Sequence, residues 1–504
     1  MKKAIVIGGG VGGLAVANML AKSGYRVMVL EKNNQLGGRM RQLKKKGFTF
    51  DTGPSWYLMP EVFEHYFALF GRKTTDYYAL QRLSPAYKVF FDYAKPVLVR
   101  GKLTRDMSMF ESLESGAGEK LEQYVADAKH IYTMALRYFL YNPFRSWGQL
   151  LANREVVTNS PKLLTGLTGS LHRHVARRFS SKQLQQILEY AMVFLGTSPF
   201  EAPSLYRLMS YLDFEQGVFF PKGGMYKVTE AFTTLGKELG VKYKLNTPVD
   251  RIIVRDGRAT GVKVGATTYE ADVVVSNADL AFTETKLLSS VHQTYPRAYW
   301  EKKKPAPAGL VMYLGIKGSL PELQHHNLFF VDAWKQNFNE IYRSKEWPRT
   351  ASMYVSKTTA SDASVAPKGH ENIFVLVPLP AGKKMTRIQE QKLADRYLEQ
   401  LETQSGIADF RARIVTREVL GPEHFASAFH AWQGSALGLN HTLRQSAFMR
   451  PSVQSKKVKN LYYVGGMTQP GIGVPMCLIS AELVIKAMTG DASAGPLPNL
   501  PEIL

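Results

Sequence analysis

The opening residues change hydrophobic period twice. Lys3 to Ile7 is an apolar run of strand length, Gly12 to Lys22 sets Leu14, Ala17, Leu20 and Ala21 at helical spacing, and Arg26 to Leu30 is a second apolar run. Gly24 stands where a helix C-cap is expected. Five glycines in the six positions from Gly8 to Gly13 separate the first strand from the helix. The pattern predicts strand, tight turn, helix and strand. Further along, Tyr87 to Tyr93 and Pro96 to Val99 alternate like strands, and Ser112 to Leu195 reads as helical and aromatic-rich. Tyr226 to Leu239 predicts a helix stopped by Gly240, followed by strands near Val241 to Leu245, Val249 to Arg255 and Ala259 to Val264. Asp256-Gly257 marks a hairpin turn between the last two. Val273 to Ser276 reads as a buried strand.

From about Leu280 to Arg450, strand-like stretches such as "GLVMYLGIKG" and "NIFVLVPLP" mix with helical ones such as "RIQEQKLADRYLEQLETQ", without a repeat. Lys302 to Lys304, followed by Pro305 and Pro307, reads as a solvated linker. Leu461 to Val464 predicts a strand that meets glycines and then a helix beginning near Val474, repeating the opening logic at the far end of the chain.

The turn has its own chemistry. Gly8, Gly10 and Gly13 fit G-x-G-x-x-G, with Gly12 inside it. The first glycine allows the tight turn, the second lets backbone approach a pyrophosphate, and the third lets helix pack on strand. The helix N-terminus then offers unpaired N–H groups to the phosphates. Glu31 closes the second strand 18 residues after Gly13, placed to accept ribose hydroxyls. That carboxylate would repel a 2′-phosphate, which disfavours NADP and leaves NAD and FAD open. The terminal strand–glycine–helix unit offers a positive dipole end that could stabilise electron density on a reduced flavin ring.

Composition sets the wider frame. With 504 residues, 45% hydrophobic and 11% aromatic, the chain supports two or three domains. Lys2 and Lys3 lead into only four apolar residues before the glycines, so no secretion signal is expected. No window holds roughly 18 uncharged apolar residues, so no spanning helix is expected either. Cys477 is the single cysteine, which excludes an internal disulfide and fits a reducing compartment. His325 and His326 are adjacent, the wrong spacing for joint ligation on one helix face, and no metal site is expected.

The net charge of +22, from 64 Lys and Arg against 42 Asp and Glu, attracts polyanions. Without zinc spacing, an RNP-like strand or a basic heptad array, nucleic acid is not an expected partner, and anionic lipid is. Residues 137 to 182 concentrate the charge, with Arg137, Arg145, Arg154, Lys162, Arg173, Arg177, Arg178 and Lys182 against the one acid Glu155. Phe139, Tyr141, Phe144, Trp147 and Leu150 lie among them, a pattern that predicts a monotopic membrane surface.

After Glu31 the sequence continues "KNNQLGGRMRQLKKKGFTFDTGPSW", where Gly37, Gly38 and Arg39 extend the dinucleotide fingerprint and Asp51 to Ser55 form a second turn. This resembles the extended adenine-dinucleotide signature of the amine-oxidase and phytoene-desaturase flavoproteins. The stretches "FPKGGMYKVTEAF", "LGPEHFASAFHAWQGSALGLNHTLRQSAFMRP" and "NLYYVGGMTQPGIGVP" carry the likeness nearly end to end, and the chain resembles the bacterial phytoene and diapophytoene desaturases.

The resemblance implies an α/β fold with a discontinuous Rossmann-like FAD-binding domain, expected at residues 1–85, 215–285 and 455–504. An α+β substrate domain is expected at 86–111 and 286–454, and a helical, basic, membrane-facing subdomain at 112–214. It implies FAD as cofactor, with Gly8, Gly10, Gly12, Gly13, Glu31, Lys32, Gly38, Arg39, Pro54, Ser55, Val249, Gly465, Gly466, Gly473, Val474 and Pro475 binding it. It further implies desaturation of a membrane-resident C30 or C40 polyene, by hydride transfer to flavin and proton loss. Dioxygen or a quinone would be the electron acceptor, and the protein would sit peripherally on the inner face of the cell membrane, in the cytoplasm.

One departure stands out. The family usually reads His-Pro-Gly-Ala-Gly where this chain has Gln469, Pro470, Gly471, Ile472 and Gly473, so the ring pocket is expected to differ. No catalytic side chain is assigned; His424, His430, His441 and Arg444 lie in the family-like stretch, where they could receive the proton or steady the cation's counter-charge, but each reads as structural. A carotenoid isomerase, an amine oxidase and a prenyl-binding module of GDP-dissociation-inhibitor type are the alternative functions.

Overall fold

A computed structural model describes residues 1–143, 166, 169–446 and 449–503. Its first sheet is parallel and five-stranded, in the order Leu461–Tyr463, Val273–Ser276, Lys3–Ile7, Arg26–Leu30, Lys242–Lys244. Strands drawn from three distant stretches of chain thus lie side by side, with Ala4 opposite Val273, Ile7 opposite Leu30 and Ser276 opposite Tyr463. Such strands are buried on both faces, which is why they read as unbroken apolar runs.

The opening helix, Val11–Lys22, packs against the closing helix, Val474–Thr489, and against Tyr226–Glu238. The opening helix is buried almost along its length, and Leu14, Ala15, Val16, Ala17 and Leu20 are wholly inaccessible. Gly24 takes φ +96° just past its end, as an αL residue after a helix terminus does. An antiparallel three-stranded sheet, Arg251–Arg255, Arg258–Val264 and Thr267–Glu270, lies on the other side. Asp256 and Gly257 both have positive φ, the geometry of the predicted two-residue hairpin.

A second large sheet has seven strands in the order Ile414–Leu420, Ala308–Lys317, His370–Leu379, Met353–Ser356, His326–Phe330, Tyr87–Phe91, Val97–Val99. All its pairings are antiparallel except that of His326–Phe330 with Tyr87–Phe91. Helix Arg387–Ser405 covers one face, its start fixed by a Thr386–Gln389 capping box and its end by Gly406 in the αL region. The other face packs into the same apolar core as the parallel sheet, and its Val311, Tyr313, Phe374 and Leu376 line the cavity described below.

Residues 103–143 and 169–216 supply the helical part. Tyr141, expected at a membrane surface, is instead buried, its ring edge-on to His65 and its carbonyl accepting from Lys486 Nζ. Its burial corrects that expectation. An aromatic beside cations reads the same whether it faces lipid or core. Phe144, Arg145, Trp147, Leu150, Arg154, Glu155 and Lys162 lie outside the described residues. Among the described residues, no helix is long and apolar enough to cross a membrane.

Candidate active site

The two predicted glycine turns meet at one place, and Asn277 is the hinge between them. It follows strand Val273–Ser276, with its N–H donating to Ile7 O. Its side chain sits where a Cβ on Gly10 would approach Nδ2 to 2.7 Å, and Cβ atoms on Gly12 and Gly465 would approach Oδ1 to 2.8 and 2.9 Å. A Cβ on Gly12 would also lie 3.3 Å from Gly465 Cα, so the ends of the chain touch. Gly13 is the tightest contact, since its Cβ would fall 2.1 Å from Gly8 O. A Cβ on Gly38 would lie 3.0 Å from Gly10 Cα, and Gly466 lies beside Gly471 and Ile472.

Glu31, 4% exposed, uses Oε2 to accept from Gly9 N–H at 2.7 Å, and Oε1 to accept from Asn33 N and Nδ2, both at 2.8 Å. Each carboxylate oxygen has two lone pairs, so Oε2 keeps acceptor capacity for a sugar hydroxyl. Lys32 reaches elsewhere, donating from Nζ to Ser427 O at 2.7 Å. The side chain of Val249 belongs to the apolar core cluster that includes Ile7, Leu30 and Ile252.

Arg39 is a half-buried cation of the site, with its Nε atom buried. Among the described residues its one hydrogen-bond acceptor is Ser435 O at 3.5 Å and its Nε has no partner, while its guanidinium lies 5.5 Å from the Phe429 ring centroid. Burial lowers its pKa, and nearby Asp279 opposes that shift. Asp279 itself is pushed up by burial, against donation from Trp432 and Phe282 N–H and the field of Arg39. Cys477, in the first turn of the closing helix, is pushed up to about 11 by burial. A guanidinium with a buried, unsatisfied Nε–H, beside a helix mouth whose Gly10 cap has no side chain, suits an anion. These residues fit the pyrophosphate and ribose of an adenine dinucleotide.

Arg39, Pro54, Ser55, Gly473, Val474 and Pro475 share the wall of one cavity of about 1350 Å³. That exceeds the roughly 300–1,000 Å³ of an ordinary ligand pocket and has room for more than one molecule. Away from the glycines the wall is mainly apolar: Val193, Leu195, Leu208, Val311, Leu376 and Leu420 are representative. Trp56 lines it too, stacked on His326 at 4.5 Å and set against Tyr87 and Tyr190. Both phenols donate to Asp213 Oδ2, at 2.7 and 3.1 Å, and burial pushes Asp213 up to about 7. Leu443 and Met449, 47% and 44% exposed, also line the cavity and mark where it reaches the surface.

Of the four family-like polar residues, His424 and His441 are in the cavity wall, His430 stacks on Phe282 at 3.8 Å, and Arg444 is exposed. Ile472, the departure from the family's alanine, is in the wall as well. Sequence reasoning passed over Asn277, Asp279 and Trp56. Asn277 had a usable signal, because a polar residue at the carboxyl end of a buried parallel strand lies where such sheets bind ligands.

The flavin containing amine oxidoreductase family model matches residues 11–486. The chain is 42% identical over 490 residues to a carotenoid 3,4-desaturase of Haloarcula japonica, covering 96% of this chain and 98% of that protein. It is 34% identical over 502 residues to a zeta-carotene-forming phytoene desaturase of Myxococcus xanthus, covering 98% and 95% respectively. A solved oxidoreductase from Methanosarcina mazei superposes with a TM-score of 0.62 at 18% identity, over 96% of this chain and 100% of that one, a likeness of fold. The chain therefore belongs to the flavin containing amine oxidoreductase family, grouped within it with the carotenoid and phytoene desaturases, and is an FAD-dependent oxidoreductase.

Proposed function

We propose that the protein desaturates a long apolar polyene of the carotenoid-precursor class, C30 or C40. The observation that carries this is the cavity, whose wall is mainly apolar from the glycine turns and Arg39 out to Leu443 and Met449. A hydrocarbon offers no hydrogen-bond handle, so wall shape must position it. FAD supplies the hydride acceptor when bound. Arg39, Glu31 and the first-turn amides of the opening helix hold the cofactor's polar parts, while Trp56, Val311 and Ile472 exclude water and orient the chain to be oxidised. The relatives' names favour desaturation over amine oxidation, isomerisation or passive prenyl binding.

The substrate enters from an anionic membrane surface, on the inner face of the cell membrane, and dioxygen or a quinone removes the electrons. Leu443 and Met449 at the mouth, with exposed Arg173 and Arg177, support lipid contact. Arg178 is less available, being paired with Asp127 at 3.4 Å.

The test uses purified protein loaded with FAD and mixed anaerobically with liposomes carrying phytoene or diapophytoene. Flavin absorbance should bleach and longer polyenes should appear in the product spectra. Bleaching by putrescine or another soluble amine, with none by either polyene, would overturn the reading.

A further inference from the structure

The desaturation proposed above has two halves, and the wall contains a group suited to the second. We propose that His441 Nε2 accepts the proton that leaves the substrate after hydride transfer. His441 is 5% exposed and lines the cavity. Its Nδ1 lies 2.9 Å from Leu195 O. A carbonyl can only accept, so Nδ1 carries the hydrogen and Nε2 presents a lone pair. That nitrogen points at the glycine turn before the closing helix: a Cβ built on Gly471 would lie 2.2 Å from it. Glycine at 471 is what lets the imidazole come this close to the residues, Ile472 to Pro475, that wall the cofactor end.

The base is held there by a buried cation. Arg450 donates to the carbonyls of Leu439, Asn440 and Gln445 on the segment carrying His441, and to those of Gly466 and Thr468 on the glycine turn. One guanidinium thereby clamps the two segments together. Burial and the nearby Arg450 charge press the His441 pKa down to about 3, so the imidazole is neutral at any working pH.

A base this weak suffices. Once a hydride has left one carbon for the flavin, the adjacent C–H of an allylic cation is far more acidic than any imidazolium. The C–H electron pair becomes the new π bond, the proton goes to Nε2, and the Arg450 field favours its onward release. Other polar groups of the wall are poorer acceptors. Glu418 is paired with Lys45 at 2.6 Å, and burial raises Tyr313 and Tyr354, whose phenols keep their protons. The ring of His424 has no hydrogen-bond partner among the described residues to fix its tautomer.

The inference rests on the desaturase reading, and the experiment separates their failures. Failure of wild-type enzyme to bleach with polyene sinks that reading itself. With bleaching established, His441→Asn keeps a donor for Leu195 O but removes the base. It should retain flavin content and polyene binding, lower the rate at which the longer polyene forms by about 10²–10⁴-fold, and recover in part with added imidazole. In a second measurement needing no functional variant, ¹⁵N-histidine spectra of wild-type holoenzyme, with the signal identified by its absence from His441→Asn or His441→Gln, should show His441 protonated at Nδ1 and bare at Nε2. A rate of longer-polyene formation within about twofold of wild type, a loss that imidazole does not restore, or the opposite tautomer would each overturn the proposal.

Discussion

The two ends of the cavity are built by different means. At the cofactor end, specificity comes from backbone: Gly8, Gly10, Gly12, Gly13, Gly38 and Gly465 bring main chain within contact of main chain around Asn277, and two charges, buried Glu31 and half-buried Arg39, supply direction. At the substrate end, almost every wall atom is an apolar side chain, drawn from the seven-stranded sheet, the helices and the loops alike. A backbone site tolerates no added atom. A side-chain site tolerates a good deal, because neighbouring apolar groups can repack.

The sharpest way to break this contrast is Gly13→Ala. The new methyl would stand 2.1 Å from Gly8 O, and neither backbone can yield without opening the helix–strand contact. Overpacking of this kind costs roughly 1–3 kcal/mol, concentrated where the pyrophosphate binds. The purified variant should be colourless, with its 450 nm flavin absorbance absent and not restored by FAD. A yellow variant would show that the turn is more pliable than its contacts imply.

Glu31→Gln is gentler. An amide in place of the carboxylate must turn its NH2 towards either Gly9 N–H or the Asn33 donors, leaving one buried donor facing another. An unsatisfied buried group costs about 1–3 kcal/mol. The dissociation constant for FAD, titrated by quenching of flavin fluorescence, should rise by roughly 10- to 100-fold, with the fold retained.

That difference between the ends also decided what could be read from sequence. A glycine forced by backbone approach leaves a fixed spacing, so Gly8, Gly10 and Gly13, the Glu31 terminus and the second turn at Gly473 were all legible, as were the strands that carry them. The cavity wall was not. Val193, Val311, Leu376 and Leu420 are ordinary core residues in any linear pattern, and only the fold decides that they border a void. Tyr141 shows the same limit in reverse, since an aromatic flanked by cations does not state which way it faces. Arg450 was hidden for another reason: its five acceptors are backbone carbonyls, which carry no side-chain signature.

Asp213 sharpens the contrast from the apolar side. Unlike Glu31, it has no backbone donor among the described residues: Tyr87 and Tyr190 hold Oδ2, and Oδ1 has no partner there. Its folded pKa of about 7 lies above the unfolded value of 3.8. Stability from this group is therefore complete below about pH 4 and is lost as pH rises towards 7, because the unfolded chain ionises freely while the buried acid does not. Asn does not titrate. Asp213→Asn should gain on the parent between pH 5 and pH 8, widening the gap in Tm by roughly 1–2 °C in scanning calorimetry. A gap independent of pH would mean that Asp213 is ionised throughout.

The smallest effect is expected at the mouth, where side chains meet solvent and replacement leaves the packing intact. Leu443 and Met449 are large apolar groups, nearly half exposed, at the rim of a cavity whose substrate is insoluble in water. An apolar rim at a lipid surface gives the polyene a continuous path from bilayer to tunnel, and a charged rim interrupts it with hydrated carboxylates. The double change Leu443→Glu and Met449→Glu should leave flavin content and Tm unaltered. It should slow desaturation of liposome-held polyene by about threefold, equivalent to ~0.6 kcal/mol in barrier. With the same polyene dispersed in detergent micelles that already solvate it, the rates of variant and parent should coincide. Equal slowing in both media would place the defect inside the tunnel, and the mouth would then be no more specialised than any other stretch of the wall.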